Sequence, residues 1–226
     1  MIRLLVFDFD GTLLDTETPD YDSLASIYSE HGCELPLEFW ALSLGTNPSP
    51  VDLFENLEMQ IGHPVDREKW QSERKRRFYS LVEKEDPRPG IISLLGEVKS
   101  KGIAIGLASS AGRDWVEKHL NRTGLRDYFQ CVRTVEDVTQ AKPAPDLYLS
   151  VLDFFGIAGH EALAIEDSPN GVTAAKRAGL YCAAVPNPIT SRLSLNGADI
   201  HLDTLAGISL VDLEAHLRNA LAGRKQ

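Results

Sequence analysis

The sequence predicts an α/β protein: a parallel sheet covered by helices, with a helical domain inserted near its start. Short apolar runs bounded by Asp, Gly or Pro recur along the chain, "RLLVF" at 3–7, "IAIGLAS" at 103–109, "ALAIE" at 162–166 and "YCAAVP" at 181–186. The later runs follow helix-compatible stretches and turn residues such as Gly102 and Gly179, the alternation that a parallel sheet with crossover helices requires. Between the first two runs the chain is amphipathic and carries no comparable strand. That segment is too long for one crossover helix and reads as an insertion.

Each element has its own local reason. Residues 3–7 are short, partly β-branched and stopped by Asp8, which makes them a buried strand. Segments 20–31, 49–61 and 66–85 have helical amphipathicity and lie inside an expected helical domain at 16–87. The return is "EDPRPG", where Pro87 and Pro89 stop a helix and Gly90 permits a bend. The core domain is then discontinuous, residues 1–15 and 88–226. "FQCVR" at 129–133 is a weaker strand and "ADIHL" at 198–202 an edge strand, with five strands expected in the core of the sheet. The tail "AGRKQ" is expected to fray.

Of 226 residues, 43% are hydrophobic, enough for a sizeable core. Lys and Arg total 23 against 33 Asp and Glu, a net charge of -10, which argues against nucleic acid or an anionic membrane as partner. Cys33, Cys131 and Cys182 are odd in number and far apart, without the spacing of a disulfide framework or zinc site, so a reducing cytoplasm fits best. The opening "MIRLLVFDFD" lacks a signal-peptide cleavage pattern, and no run is long enough to span a bilayer. A monomer or weak dimer is expected.

Two carboxylates, Asp8 and Asp10, sit at the end of the first apolar strand. Strand alternation starts them on one side, where each disfavours ionisation of the other, so a positive partner is expected between them. In an open parallel sheet, ligands bind outside the carboxyl ends of the strands. Those ends carry Asp8, Asp10 and Gly11, then Ser109-Ser110, then Glu166-Asp167-Ser168, and the loop "QAKPAP" at 140–145 adds Lys142. At least three of these carboxylates, a hydroxyl and a lysine are therefore expected in one crevice.

This set resembles the haloacid dehalogenase superfamily of phosphohydrolases, in its β-phosphoglucomutase-like branch with a helical cap. "DFDGT" at 8–12 looks like the first family motif, "LAS" ending at Ser109 the second, Lys142 in "AKPAPD" the third and "IEDSPNG" at 165–171 the fourth, in order and spanning the chain. The resemblance implies a Rossmann-like core, a cap between the first and second motifs, and a Mg²⁺-dependent phosphatase acting on a small phosphorylated metabolite. It makes Asp8 nucleophile and metal ligand, and Asp10 acid/base and, through its carbonyl, metal ligand. Asp167 and, less directly, Glu166 complete the metal site, Lys142 is a fixed cation, and Ser109, Lys142 and Gly11 bind phosphate. Ser168-Pro169 reads as an N-cap followed by Pro at the first helical position, which would hold Asp167 rigidly.

Plainer readings compete. Glu166 and Asp167 would also serve as helix caps, Lys142 as a surface lysine, and Ser109 and Ser110 as structural hydroxyls. The run "SERKRRF" at 72–78 reads as a solvated helix face paired with Glu68 and Glu73, its alternative being a grip on a distal substrate anion. The six histidines read as surface or capping residues. Trp40, Trp70 and Trp115 read as packing, with Trp40 beside "LGTN" at 44–47 a candidate for the substrate entrance. Asp10 argues against a dehalogenase or phosphonatase, in which the resemblance implies no second carboxylate. The alternatives kept are a phosphomutase and a non-catalytic binding protein. Asp20 replaces a mutase-like histidine and no basic residue lies from Asn47 to Phe54, which favours phosphatase over mutase.

Overall fold

The computed structural model describes residues 2–43 and 50–223; the expected turn at 44–47, and the last three residues of the "AGRKQ" tail, lie outside the described residues. Six strands form one sheet: β1 (Leu4–Phe7), β2 (Ala104–Ala108), β3 (Cys131–Arg133), β4 (Ala162–Glu166), β5 (Tyr181–Ala184) and β6 (Ile200–His201). Their order is β3-β2-β1-β4-β5-β6 and every pairing is parallel. β1 is central, with Leu4 opposite Ala104 of β2 on one side and Ala162 of β4 on the other. This register brings the carboxyl ends of β1, β2 and β4 side by side.

Apart from β4, which fills its run at 162–166, the strands are shorter than the apolar runs that announce them. "FQCVR" contributes only Cys131–Arg133, and "ADIHL" only Ile200–His201. Burial explains why the central runs read so clearly. All four residues of β1 and all five of β4 are buried, so both sheet faces need apolar side chains. On one face, Leu4, Val6, Ala162 and Ala164 pack with Leu147, Tyr148 and Val151 of helix Asp146–Phe155.

The chain divides into two compact units, residues up to Leu14 together with those from Asp86, and Asp15–Glu85. The second unit contains helices α1 (Glu17–Glu30), α2 (Leu37–Ala41), α3 (Leu53–Ile61) and α4 (Arg67–Val82). α1 starts earlier than its apolar periodicity suggested, and α2 carries too few residues to show a period. Asp52 and Asp66 cap α3 and α4, Asp52 accepting from the amides of Phe54 and Glu55 and Asp66 from that of Lys69. Trp40, Tyr28, Leu24, Ile27 and Leu57 are buried within this unit.

The three arginines of the cationic run on α4 are paired inside the unit, with Glu73 as expected and with two further partners in place of Glu68. Arg76 and Arg77 both meet Glu73, Arg77 also meets Glu30, and Arg74 places one nitrogen 2.7 and 2.9 Å from the two Asp20 oxygens. Sequence spacing finds Glu73; it cannot find Asp20 and Glu30, which come from another helix. Among the described residues, no helix is long and apolar enough to cross a membrane.

Candidate active site

β1 ends at Phe7, and the Asp8 amide still donates to Ile165 of β4 at 3.0 Å, which fixes the Asp8 backbone beside the end of that strand. The chain then turns. The amides of Thr12 and Leu13 return to the Phe9 carbonyl, and Gly11 sits at φ +76°, a conformation that favours glycine. Gly11, expected to bind phosphate, donates its amide to the Leu14 carbonyl at 2.7 Å, and its own carbonyl accepts from Arg88 at 2.5 Å. Gly11 thus shapes the loop. Arg88 also reaches the carbonyls of Val185 and Pro186, tying this loop to the end of β5.

Asp8, Glu166 and Asp167 are buried, with carboxylate oxygens within 4.8 Å of one another. Lys142, its side chain only 5% exposed, bridges two of them: it donates to Asp8 Oδ1 and, at 2.6 Å, to Glu166 Oε1. The same Glu166 oxygen accepts from the Tyr148 hydroxyl at 2.6 Å. Gly171 makes room for this carboxylate, since a Cβ there would come within 1.9 Å of Glu166 Oε2. Asp167 accepts from the Thr12 hydroxyl at 3.1 Å and from the Asn187 amide at 2.9 Å. Ser168 caps helix Pro169–Arg177 by accepting from the Gly171 amide, with Pro169 opening the helix.

Burial dominates the electrostatics. It pushes the Asp8 carboxyl up to about 7, with Glu166 and Asp10 adding to the rise and Lys142 opposing it. Burial, then the Asp8 and Glu166 charges, hold Asp167 well above the ordinary aspartate value. For Lys142, burial disfavours the ammonium, but Asp8 and Glu166 outweigh it and hold its pKa above that of an ordinary lysine.

Asp10 lies two residues from Asp8 yet has a different partner. Its Oδ1 accepts from the Trp115 indole N–H at 2.9 Å, so Trp115, expected to be a packing residue, reaches the site. Trp115 lies on helix α6 (Arg113–Arg122), counting α5 as Ile91–Ser100. His119, expected at the surface, is fully buried with its ring 4.1 Å from that of Trp115. Ser109 is buried at the end of β2 and its hydroxyl accepts from the Ala111 amide at 3.0 Å. The next helix starts only after Gly112, three residues beyond Ser109. Asp8, Lys142, Glu166 and Asp167 thus meet directly. Trp115, Tyr148, Arg88 and Asn187 escaped the sequence reading because each is joined to the site across long sequence separations.

A family model described as haloacid dehalogenase-like hydrolase matches residues 5–185. The chain belongs to that family. A provisionally named phosphatase, YhcW of Bacillus subtilis (strain 168), is 43% identical over 219 residues, covering 97% of this chain and 99% of the relative. A provisionally named pseudouridine-5'-phosphatase of Drosophila melanogaster is 32% identical, covering 89% of each chain. CbbY from Rhodobacter sphaeroides, solved in complex with phosphate, superposes with a TM-score of 0.71 at 28% identity, covering 95% of this chain and 100% of that one. Within this family, the buried cluster fits a hard divalent cation. Its donors are carboxylate oxygens, the ligand type such cations take, and the one ammonium among them pairs with only two of the three carboxylates, Asp8 and Glu166.

The raised Asp8 carboxyl has a consequence for stability. In metal-free folded protein Asp8 keeps its proton from 3.8, the ordinary value, up to about 7, while the unfolded chain loses it, so stability falls as pH rises through that window. Thermal unfolding of metal-free protein should drop between about pH 5 and about pH 7, and Asp8→Asn should flatten the drop. Added Mg²⁺ should raise the wild-type unfolding temperature more at the higher pH. An Asp8→Asn protein as pH-sensitive as wild type would contradict this account.

Proposed function

We propose that this protein is a Mg²⁺-dependent phosphatase that hydrolyses a small phosphorylated metabolite through an aspartyl-phosphate on Asp8. The observation that carries the reading is the separation of two aspartates. Asp8 lies among Lys142, Glu166 and Asp167, whereas Asp10 is held by Trp115. This separation supports reading Asp8 as the nucleophile and Asp10 as the group that transfers protons.

Asp8 attacks phosphorus and the bond to the substrate's oxygen breaks, with Asp10 giving its proton to that leaving oxygen. Asp10 then takes a proton from the water that attacks phosphorus, the bond to Asp8 breaks, and inorganic phosphate is released. Lys142 supplies a fixed positive charge beside Asp8, and Glu166 and Tyr148 keep its ammonium in place. Ser109, at the neighbouring strand end, is the hydroxyl available to phosphate oxygens. Asp8, Asp167 and the Asp10 carbonyl would hold the metal, with Glu166 in a supporting role because Lys142 and Tyr148 share one of its oxygens. When bound, Mg²⁺ neutralises charge on the phosphoryl group and on the carboxylates around it.

The helical segment at 16–87 is read as the family's substrate-selecting cap. The phosphatase names of the two relatives, and the phosphate complex of CbbY, support a phosphate monoester as substrate. A cytoplasmic monomer or weak dimer, binding neither nucleic acid nor membrane, fits the acidic composition and the free cysteines. The pairing of Asp20 with Arg74 favours hydrolysis over mutase chemistry, because the position expected to bear a mutase-like histidine instead neutralises a cation.

Asp8→Asn should abolish phosphate release from a panel of sugar phosphates, nucleotides and cofactor phosphates, whereas Lys142→Ala, which removes one cation, should leave a measurable residual rate. Near-native activity in folded Asp8→Asn would overturn the assignment. Chelation with EDTA should inactivate and Mg²⁺ restore, with Ca²⁺ a poor substitute and Asp167→Ala needing far more Mg²⁺; full activity in metal-free buffer would end the metal reading. With β-glucose 1-phosphate and a trace of the 1,6-bisphosphate, inorganic phosphate should be the product. Glucose 6-phosphate accumulating faster than phosphate would identify a mutase.

A further inference from the structure

We infer that Trp115 is a positioning residue for Asp10, its indole N–H fixing one carboxylate oxygen so that the proton transferred in hydrolysis is carried on the other. The inference rests on the acid/base reading of Asp10. Its geometric basis is the 2.9 Å bond from Trp115 Nε1 to Asp10 Oδ1, which spans 105 residues of sequence. Indole nitrogen is a donor only. It therefore occupies Oδ1 without competing for the proton, and a protonated Asp10 places its hydrogen on Oδ2.

The indole is held from both ends of its helix. At the start of α6, the Arg113 amide donates to both oxygens of Glu136, at 3.0 and 3.2 Å, and the Arg113 guanidinium pairs with Asp137. Gly112 admits Glu136 closely, as a Cβ there would lie 3.2 Å from its Oε1. One turn onward, the Trp115 ring packs on buried His119, whose Nδ1 accepts from Arg122 Nε at 3.3 Å. A ring needed only for packing requires none of this alignment of its N–H with Asp10.

Trp115→Phe keeps an aromatic ring beside His119 and removes the N–H. The test compares kcat/KM for ribose 5-phosphate, an alkyl ester whose leaving oxygen needs a proton, with that for p-nitrophenyl phosphate, whose leaving group does not. Trp115→Phe should lower the first about tenfold and the second less than about twofold, a part of the loss expected from a general acid. The unfolding temperature should stay unchanged. Asp10→Asn serves as reference and should show the same selectivity more strongly. In Asp10→Ala, the indole ¹H–¹⁵N resonance that disappears in Trp115→Phe should move upfield as its acceptor is lost. Equal losses on both esters in Trp115→Phe, or no loss on either, while Asp10→Asn remains selective, would overturn the role of Trp115. An Asp10→Asn variant that does not discriminate between the esters would instead overturn the acid reading of Asp10.

Discussion

Three buried carboxylates within 4.8 Å of one another, two of them bridged by one buried ammonium, set the terms for everything around them. Desolvated like charges are costly, and a single cation does not neutralise three anions. The surrounding architecture spreads that cost. Tyr148 and Lys142 share one oxygen of Glu166, Thr12 and Asn187 each hold an oxygen of Asp167, and Arg88 exerts a favourable field on Asp167 while clamping the first loop to the end of β5. None of these groups adds another negative charge.

The same constraint explains why the first loop separates its two aspartates. Period-2 alternation would leave Asp8 and Asp10 on one side, but the strand stops at Phe7 and the turn at Gly11 takes over. Asp8 stays with the buried cluster and Asp10 is only partly buried, next to an indole. Two residues of one type, a single residue apart, thereby enter different surroundings, which is the condition for giving them different chemical roles.

Legibility in the sequence followed the range of the interactions. β1 and β4 were plain because burial on both faces demands apolar runs; β3 and β6 were overextended because Phe129 and Ala198, which precede them, are buried while their amides bond locally to Arg126 and Leu195. The carboxylates, Lys142 and the Ser168-Pro169 cap were visible because each sits in a local pattern with a physical meaning. Trp115 was not, since a tryptophan on a helix has a sufficient explanation in packing until its partner 105 residues away is known. His119 was missed for a related reason: nothing in the local sequence marks it as the buried ring on which Trp115 packs. The Asp20–Arg74 pair, between separate helices, likewise lies beyond any i, i+4 argument.

The sheet's outline also bears on how the protein behaves in a crowded solution. Its strands taper outward, from five residues in β4 to three in β3 at one margin and two in β6 at the other. A long flat margin would present a row of amides and carbonyls to a neighbouring chain, the template from which edge-to-edge aggregates grow. Here each margin is too brief to seat a full strand, and Arg133 and His201 end the two outermost ladders with polar side chains. The most apolar sequence in the molecule is thus kept in the middle of the sheet, where foreign strands cannot pair with it.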